Sequence, residues 1–194
     1  GKLEDGKLGS PAHPNLYDVY TILAVNGKVV DVKKTTTGFR KVEYKGGVGK
    51  GGVYINDKFT WLTGYAQRAT DEWAGLGQAY PTWMHDFTAK MLRESNGNYM
   101  RWMHISPQKV DVEAYDRAGI VEVCPAGDKE RDVTGVQWKQ RVAVMRDSMI
   151  YFRNDPSVCF WETGNSPIQP EQMKEMVALR EELDPHGMRV VGCR

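Results

Sequence analysis

The groups best able to do chemistry in this sequence stand where apolar runs end. Arg101 and His104 close the segment Tyr99-Met100-Arg101-Trp102-Met103-His104, and a proline-containing stretch follows. Trp161-Glu162-Thr163-Gly164-Asn165-Ser166 closes the run that begins at Val158. In parallel α/β folds ligands bind at the C-terminal ends of strands, so position favours Arg101, His104 and Asn165 as contacts to a polar ligand. Each also has an ordinary structural reading. A lone histidine is commonly a satisfied core residue, and Asn165 can simply open the loop before a helix.

Other constellations carry less. His13, His85, His104 and His186 are far apart and form no i, i+4 pair. Cys124, Cys159 and Cys193 lack metal-type spacing, and an odd number cannot all pair internally, so they read as small thiols in apolar runs. Neither a metal nor a cofactor is expected. Gly47-x-Gly49-x-x-Gly52 fits the dinucleotide fingerprint, but that motif needs a helix after it and the sequence here reads as a strand. Six Trp and nine Tyr supply rings of the kind that stack on sugars, Trp161 among them.

Composition narrows the partners. The 194 residues hold 26 Lys plus Arg against 25 Asp plus Glu, a balance that argues against nucleic acid as the main partner. No apolar run approaches the roughly 20 residues of a membrane span, and no signal-type segment opens the sequence, which says little about compartment.

The elements that must position these groups change in kind near residue 55. Before it, 17–25 alternates as a strand, Asn26-Gly27 turns, 28–32 returns, and 38–44 is a further strand. Gly and Lys then dominate 45–52. Val53 to Asn56 and Phe59 to Leu62 read as a hairpin whose second arm opens a new domain. Helices are expected at 85–95, 112–118, 137–152 and 170–183, and strands at 99–104, 120–124, 158–163 and 188–193. With Phe59–Leu62 as the first, that makes five strands in parallel βα units. A doubly wound sheet and a barrel both satisfy the pattern.

Ser10-Pro11-Ala12-His13-Pro14-Asn15-Leu16-Tyr17, Gly38-Phe39-Arg40, Ile55-Asn56-Asp57-Lys58 through Gly64, Asn98 to His104, Asp116 to Ile120, Arg153-Asn154-Asp155-Pro156-Ser157-Val158 and Phe160 to Asn165 follow one another along the chain. In that order they resemble the motifs of glycoside hydrolase family 2, the group of β-galactosidases, β-glucuronidases and β-mannosidases. Gly9 stands where the family has Trp, and Asp155 stands at the histidine of "R-N-H-P-S-V". The resemblance implies an α/β fold: the first half of a (β/α)8 TIM barrel over 46–194, preceded over 1–45 by the last strands of an immunoglobulin-like β-sandwich.

It further implies cleavage of a β-linked saccharide by a retaining, two-carboxylate mechanism, with the substrate held by Arg101, His104, Asn165 and Trp161. The family's acid/base glutamate follows the Asn of "G-N-E", and Ser166 occupies that position. An unperturbed hydroxyl is no proton donor near neutrality. Glu162 is the substitute acid to consider, but four extended residues separate it from 166 by roughly 13 Å, against the about 5–5.5 Å between carboxyls in retaining sites. The family nucleophile lies on the seventh strand, outside five. A non-catalytic carbohydrate binder that has lost its acid, or a structural domain, are the alternatives. The chain is expected to need the remainder of a longer polypeptide or a self-association partner, and the resemblance slightly favours a periplasmic or secreted location.

Overall fold

A computed structural model describes residues 14–47, 49–68, 75–76, 79–127 and 133–194. Two strands, β1 (Tyr17–Val25) and β2 (Lys28–Thr37), form an antiparallel ribbon. Its turn is Asn26-Gly27, both at positive φ (51° and 75°), which gives the twist that a two-residue hairpin needs. The second arm runs to Thr37, beyond the expected end at 32, because its threonines go on pairing and Thr36 and Lys34 both bond Asp18. Apolar side chains on both faces of this ribbon, including Tyr20, Ile22 and Val29, are exposed.

The strands β3 (Val42–Lys45), β4 (Gly52–Ile55) and β5 (Lys58–Thr60) form a second antiparallel sheet. The glycine-rich fingerprint is the loop joining β3 to β4, so no helix N-terminus follows it. Phe59–Leu62 is not the first barrel strand. Asn56 and Asp57, at φ 49° and 68°, turn β5 back onto β4. The barrel begins at β6 (Gly64–Gln67), where glycine is needed because a Cβ would overlap the Tyr99 carbonyl of the neighbouring strand.

From β6 onward the sheet is parallel and ordered β10-β9-β8-β7-β6, with β7 (Tyr99–Trp102), β8 (Val121–Pro125), β9 (Val158–Glu162) and β10 (Val190–Gly192). Between these strands lie α1 (Thr82–Glu94), α2 (Lys109–Ala118), α3 (Gly135–Phe152) and α4 (Pro170–Leu183). The strand order never reverses, whereas a doubly wound sheet reverses at its switch point. This is an arc of a barrel. Helix α2 starts three residues earlier than its apolar pattern suggests, because Gln108 and Asp111 cap each other's backbone. It stops at Gly119, at φ 67°. Met100, Trp102, Cys124 and Trp161 pack with Val112, Tyr115, Met145, Met149 and Met176 between sheet and helices. No helix among the described residues is long and apolar enough to cross a membrane.

The small sheet packs under the N-terminal ends of the barrel strands, with Val42, Ile55, Val121 and Cys159 at its centre. Arg40 anchors this junction. Its guanidinium donates to the carbonyls of Pro156 (2.6 Å), Val158 (2.7 Å) and Gly187 (3.0 Å). Nearby, Thr37 Oγ1 donates to Asn154 O at 2.6 Å and Tyr44 OH to Cys159 O at 2.7 Å.

Three acids lie buried behind the sheet. Glu122 accepts from Ser157 Oγ (2.7 Å) and from Trp102 Nε1, while Asp116 accepts from the Ser157 N–H at 2.8 Å. Lys109 Nζ holds both oxygens of Asp155 at 2.5 Å, which accommodates a carboxylate at the position of the family's histidine. Burial, with the Asp155 charge behind it, pushes Asp116 up to about 8, and burial holds Glu122 well above the carboxylate range. A raised carboxyl binds its proton more tightly in the folded state. Asp116 therefore adds stability that is complete below about pH 4, its unfolded value, and is lost as pH rises through about 8. Asp116→Asn keeps the acceptor and removes the titration. Thermal melts at pH 5 and pH 8 should show the wild type weakening by a few kcal/mol and the variant weakening less. An unchanged pH dependence would discount this carboxyl.

Candidate active site

The inner face of the arc encloses a hollow of about 500 Å³ lined by Tyr99, Arg101, Met103, Phe160, Glu162 and Arg194 among others. Alternation along β7 sends Tyr99 and Arg101 inward while Met100 and Trp102 enter the core. Arg101 Nε donates to Glu162 Oε1 at 2.8 Å and Nη2 lies 2.7 Å from the same oxygen. Nη2 also donates to Asn165 Oδ1 at 2.8 Å. Arginine has donors only, so this contact fixes which end of the Asn165 amide is oxygen and leaves its NH₂ as the free donor.

Strand β9 ends at Glu162, and the backbone bends at Asn165–Ser166. The extended spacing between 162 and 166 therefore does not apply. The bend brings Asn165 to the guanidinium that also holds Glu162. Thr163 N and Oγ1 both donate to Gly192 O, at 2.8 and 3.1 Å, tying the start of the bend to β10. A Cβ at Gly164 would lie 2.8 Å from Arg141 Nη1, so a larger residue here would have to displace the end of that side chain.

The structure thus brings Arg101, Glu162 and Asn165 into one bonded group, with half-buried Ser166 next along the chain. His104 is at the same edge, two residues past β7, with its backbone at φ 69°, but it is buried and outside the lining of the hollow. Trp161 requires correction. Its ring is fully buried on the helix side, with Nε1 donating to Asp184 Oδ2 at 3.0 Å and Arg189 over its face, so it cannot stack on a sugar. Glu162 is ion-paired through Oε1 with Arg101. Arg194 was missed: Nη1 lies 3.5 Å from Asn165 Oδ1, and it has no acidic partner among the described residues. It stands two residues past β10, so the strand-end rule that singled out Arg101 would have found it. Among the described residues no three His, Cys, Asp or Glu side chains are grouped to hold a metal. Ser10 to His13, in the first motif, lie outside the described residues.

Comparison with known proteins agrees with the barrel fold. The model of the glycosyl hydrolases family 2 TIM barrel domain matches residues 47–193, and that of glycosyl hydrolases family 2 matches residues 2–40. A β-glucuronidase of Formosa agariphila is 32% identical over 192 residues, covering 99% of this chain and 19% of that protein. A β-galactosidase of Oenococcus oeni is 27% identical over 172 residues, covering 84% of this chain and 16% of that protein. The solved structure of a β-glucuronidase from glycoside hydrolase family 2 superposes with a TM-score of 0.87 at 32% identity, over 98% of this chain and 20% of that one. The Parabacteroides merdae β-glucuronidase, at 22% identity, TM-score 0.82, and coverage of 95% of this chain and 24% of that one, shares the fold. The chain spans about a fifth of the length of the relatives it matches. With the barrel model matching most of its length, on an arc of parallel strands whose C-terminal edge gathers Arg101, Glu162 and Asn165, this chain belongs to glycoside hydrolase family 2.

Proposed function

We propose that this chain is part of a longer β-glycosidase and supplies one wall of its site, the half that grips the sugar. The observation that carries this is the Arg101 fork, which holds Glu162 and turns the Asn165 amide so that its NH₂ can donate to a sugar hydroxyl. Residues 1–45 end a sandwich domain and 46–194 begin the barrel in this reading, with the small sheet closing the barrel floor across that boundary. The reaction is retaining: a carboxylate on a strand outside this chain attacks the anomeric carbon. Arg101 and Asn165 position the substrate, and Ser166 occupies the acid/base position. The named activities of the relatives make β-glucuronides and β-galactosides the first substrates to try.

The second reading is a carbohydrate binder, favoured by Ser166 itself. Nitrophenyl β-glucuronide and β-galactoside offered to the full-length protein separate the two. Turnover is expected from the full-length protein and none from residues 1–194 alone, which lack the nucleophile. Saccharide binding without turnover would establish the binder, and hydrolysis by the isolated chain, abolished by Glu162→Gln, would make Glu162 the acid after all.

A further inference from the structure

We propose that the complete site acts on β-glycosides whose aglycone leaves as a stable anion, an acyl or electron-poor aryl group, with Arg194 receiving the departing charge. This rests on the retaining reading. When the nucleophile bonds to the anomeric carbon, the C1–O bond breaks and its electron pair goes to the aglycone oxygen. An alkoxide is too basic to leave unless an acid protonates it. A carboxylate or nitrophenolate leaves without help.

The groups in place at the strand ends suit the second case. Ser166 is an alcohol. Glu162 has its Oε1 against Arg101 Nε and Nη2, and it is the carboxylate among the residues lining the hollow. Asn165 and the guanidinium groups give up no proton near neutrality. Tyr99 begins β7, at the floor end of the strand, and burial together with the Glu162 charge pushes its phenol up, making it a poorer acid. His104 is buried outside the lining. What the edge does offer is positive charge: Arg101 is matched by Glu162, but Arg194, 3.5 Å from Asn165, has no acidic partner among the described residues. A fixed cation beside a departing oxyanion stabilises it electrostatically in place of protonation.

The second half of the reaction follows the same logic. Water attacking the glycosyl-enzyme ester needs a base to take its proton, and a residue able to act as the acid would normally act as that base. An acceptor that is already anionic needs none. Azide would bond to C1, break the ester C1–O bond, return the electron pair to the enzyme carboxylate and leave as the β-glycosyl azide.

The test uses the full-length protein with glucuronides and galactosides bearing dinitrophenyl, nitrophenyl, acyl and methyl aglycones, with and without azide, beside Ser166→Glu and Arg194→Ala. The wild type should turn over the dinitrophenyl and acyl compounds and leave the methyl glycoside intact. Azide should speed the dinitrophenyl reaction and appear in a β-glycosyl azide. Ser166→Glu should compress the gap between good and poor leaving groups by about 10²–10⁴-fold, the usual contribution of a general acid, and abolish the azide effect. Arg194→Ala should slow the acyl and aryl substrates. Ready cleavage of the methyl glycoside by the wild type, with no azide product, would overturn the proposal by revealing another proton donor. The 2-fluoro dinitrophenyl glycosides keep the two ideas apart: a covalent label detected by mass upholds the retaining reading whatever the leaving-group result, and its absence removes both. Should Ser166→Glu fail to fold, the azide product from the wild type decides alone.

Discussion

Produced alone, the 194-residue chain is expected to self-associate or to melt without a sharp transition. The ribbon β1–β2 leaves Tyr20, Ile22 and Val29 with 58%, 59% and 61% of their surface exposed, and helix α1 leaves Trp83 at 63%. The outer edges of β6 and β10 pair with nothing in the described sheet, so two rows of backbone N–H and C=O groups face outward. A fully exposed large apolar side chain forgoes roughly 1.5–3 kcal/mol of burial, and domains hold only about 5–15 kcal/mol in reserve. Several such residues are enough to consume that margin. Sedimentation of the purified chain, with calorimetry, checks this. A single 22 kDa species with a cooperative melt would show that these surfaces need no cover.

Removing Arg101 should be the most damaging single change at the site. Arg101 and Glu162 keep only 12% and 8% of their side-chain surface, and losing one partner of a buried pair typically costs about 3–5 kcal/mol because the other charge is stranded. Arg101→Ala in the full-length protein should lower stability by about that amount and free the Asn165 amide to rotate, weakening saccharide binding as well. Glu162→Gln should cost less, since the amide oxygen can still accept from the Arg101 guanidinium, which keeps 12% of its side-chain surface exposed and so stays partly solvated. The double variant should then recover part of the loss, a coupling that a denaturation cycle measures directly. If Arg101→Ala falls within about 0.5 kcal/mol of wild type, as for an ordinary surface change, the pair has no such role.

How far the sequence could be read depended on where the information sat. Helix α4 was legible to the residue, because Pro170 and Asp184-Pro185 mark both ends locally. The strand β6 was not. Gly64-Tyr65-Ala66-Gln67 is short and weakly apolar, and its glycine answers to the Tyr99 backbone 35 residues away. The same limit applied at the site. Strand-end position pointed to Arg101 and Asn165, but the bond between them spans 64 residues and depends on a bend after Glu162 that alternation cannot show. Trp161 was misjudged because the end of a strand has two faces, and aromatic character alone does not say which is wet. The Glu122–Ser157–Trp102 and Lys109–Asp155 contacts join β7, β8 and α2 to the loop between α3 and β9, so no local pattern announced them.

The Arg40 anchor also bears on the order of assembly during synthesis. Its three acceptors lie 116, 118 and 147 residues further along the chain. At roughly 5–20 residues per second, a ribosome needs about 7–30 s between making this arginine and making the last carbonyl it holds. The β1–β2 ribbon can close within microseconds of emerging, since its contacts are local. The sheet floor with Val42, Tyr44 and Ile55 must wait with its apolar side bare. That interval, rather than the finished fold, is when a holding chaperone has most to offer this polypeptide.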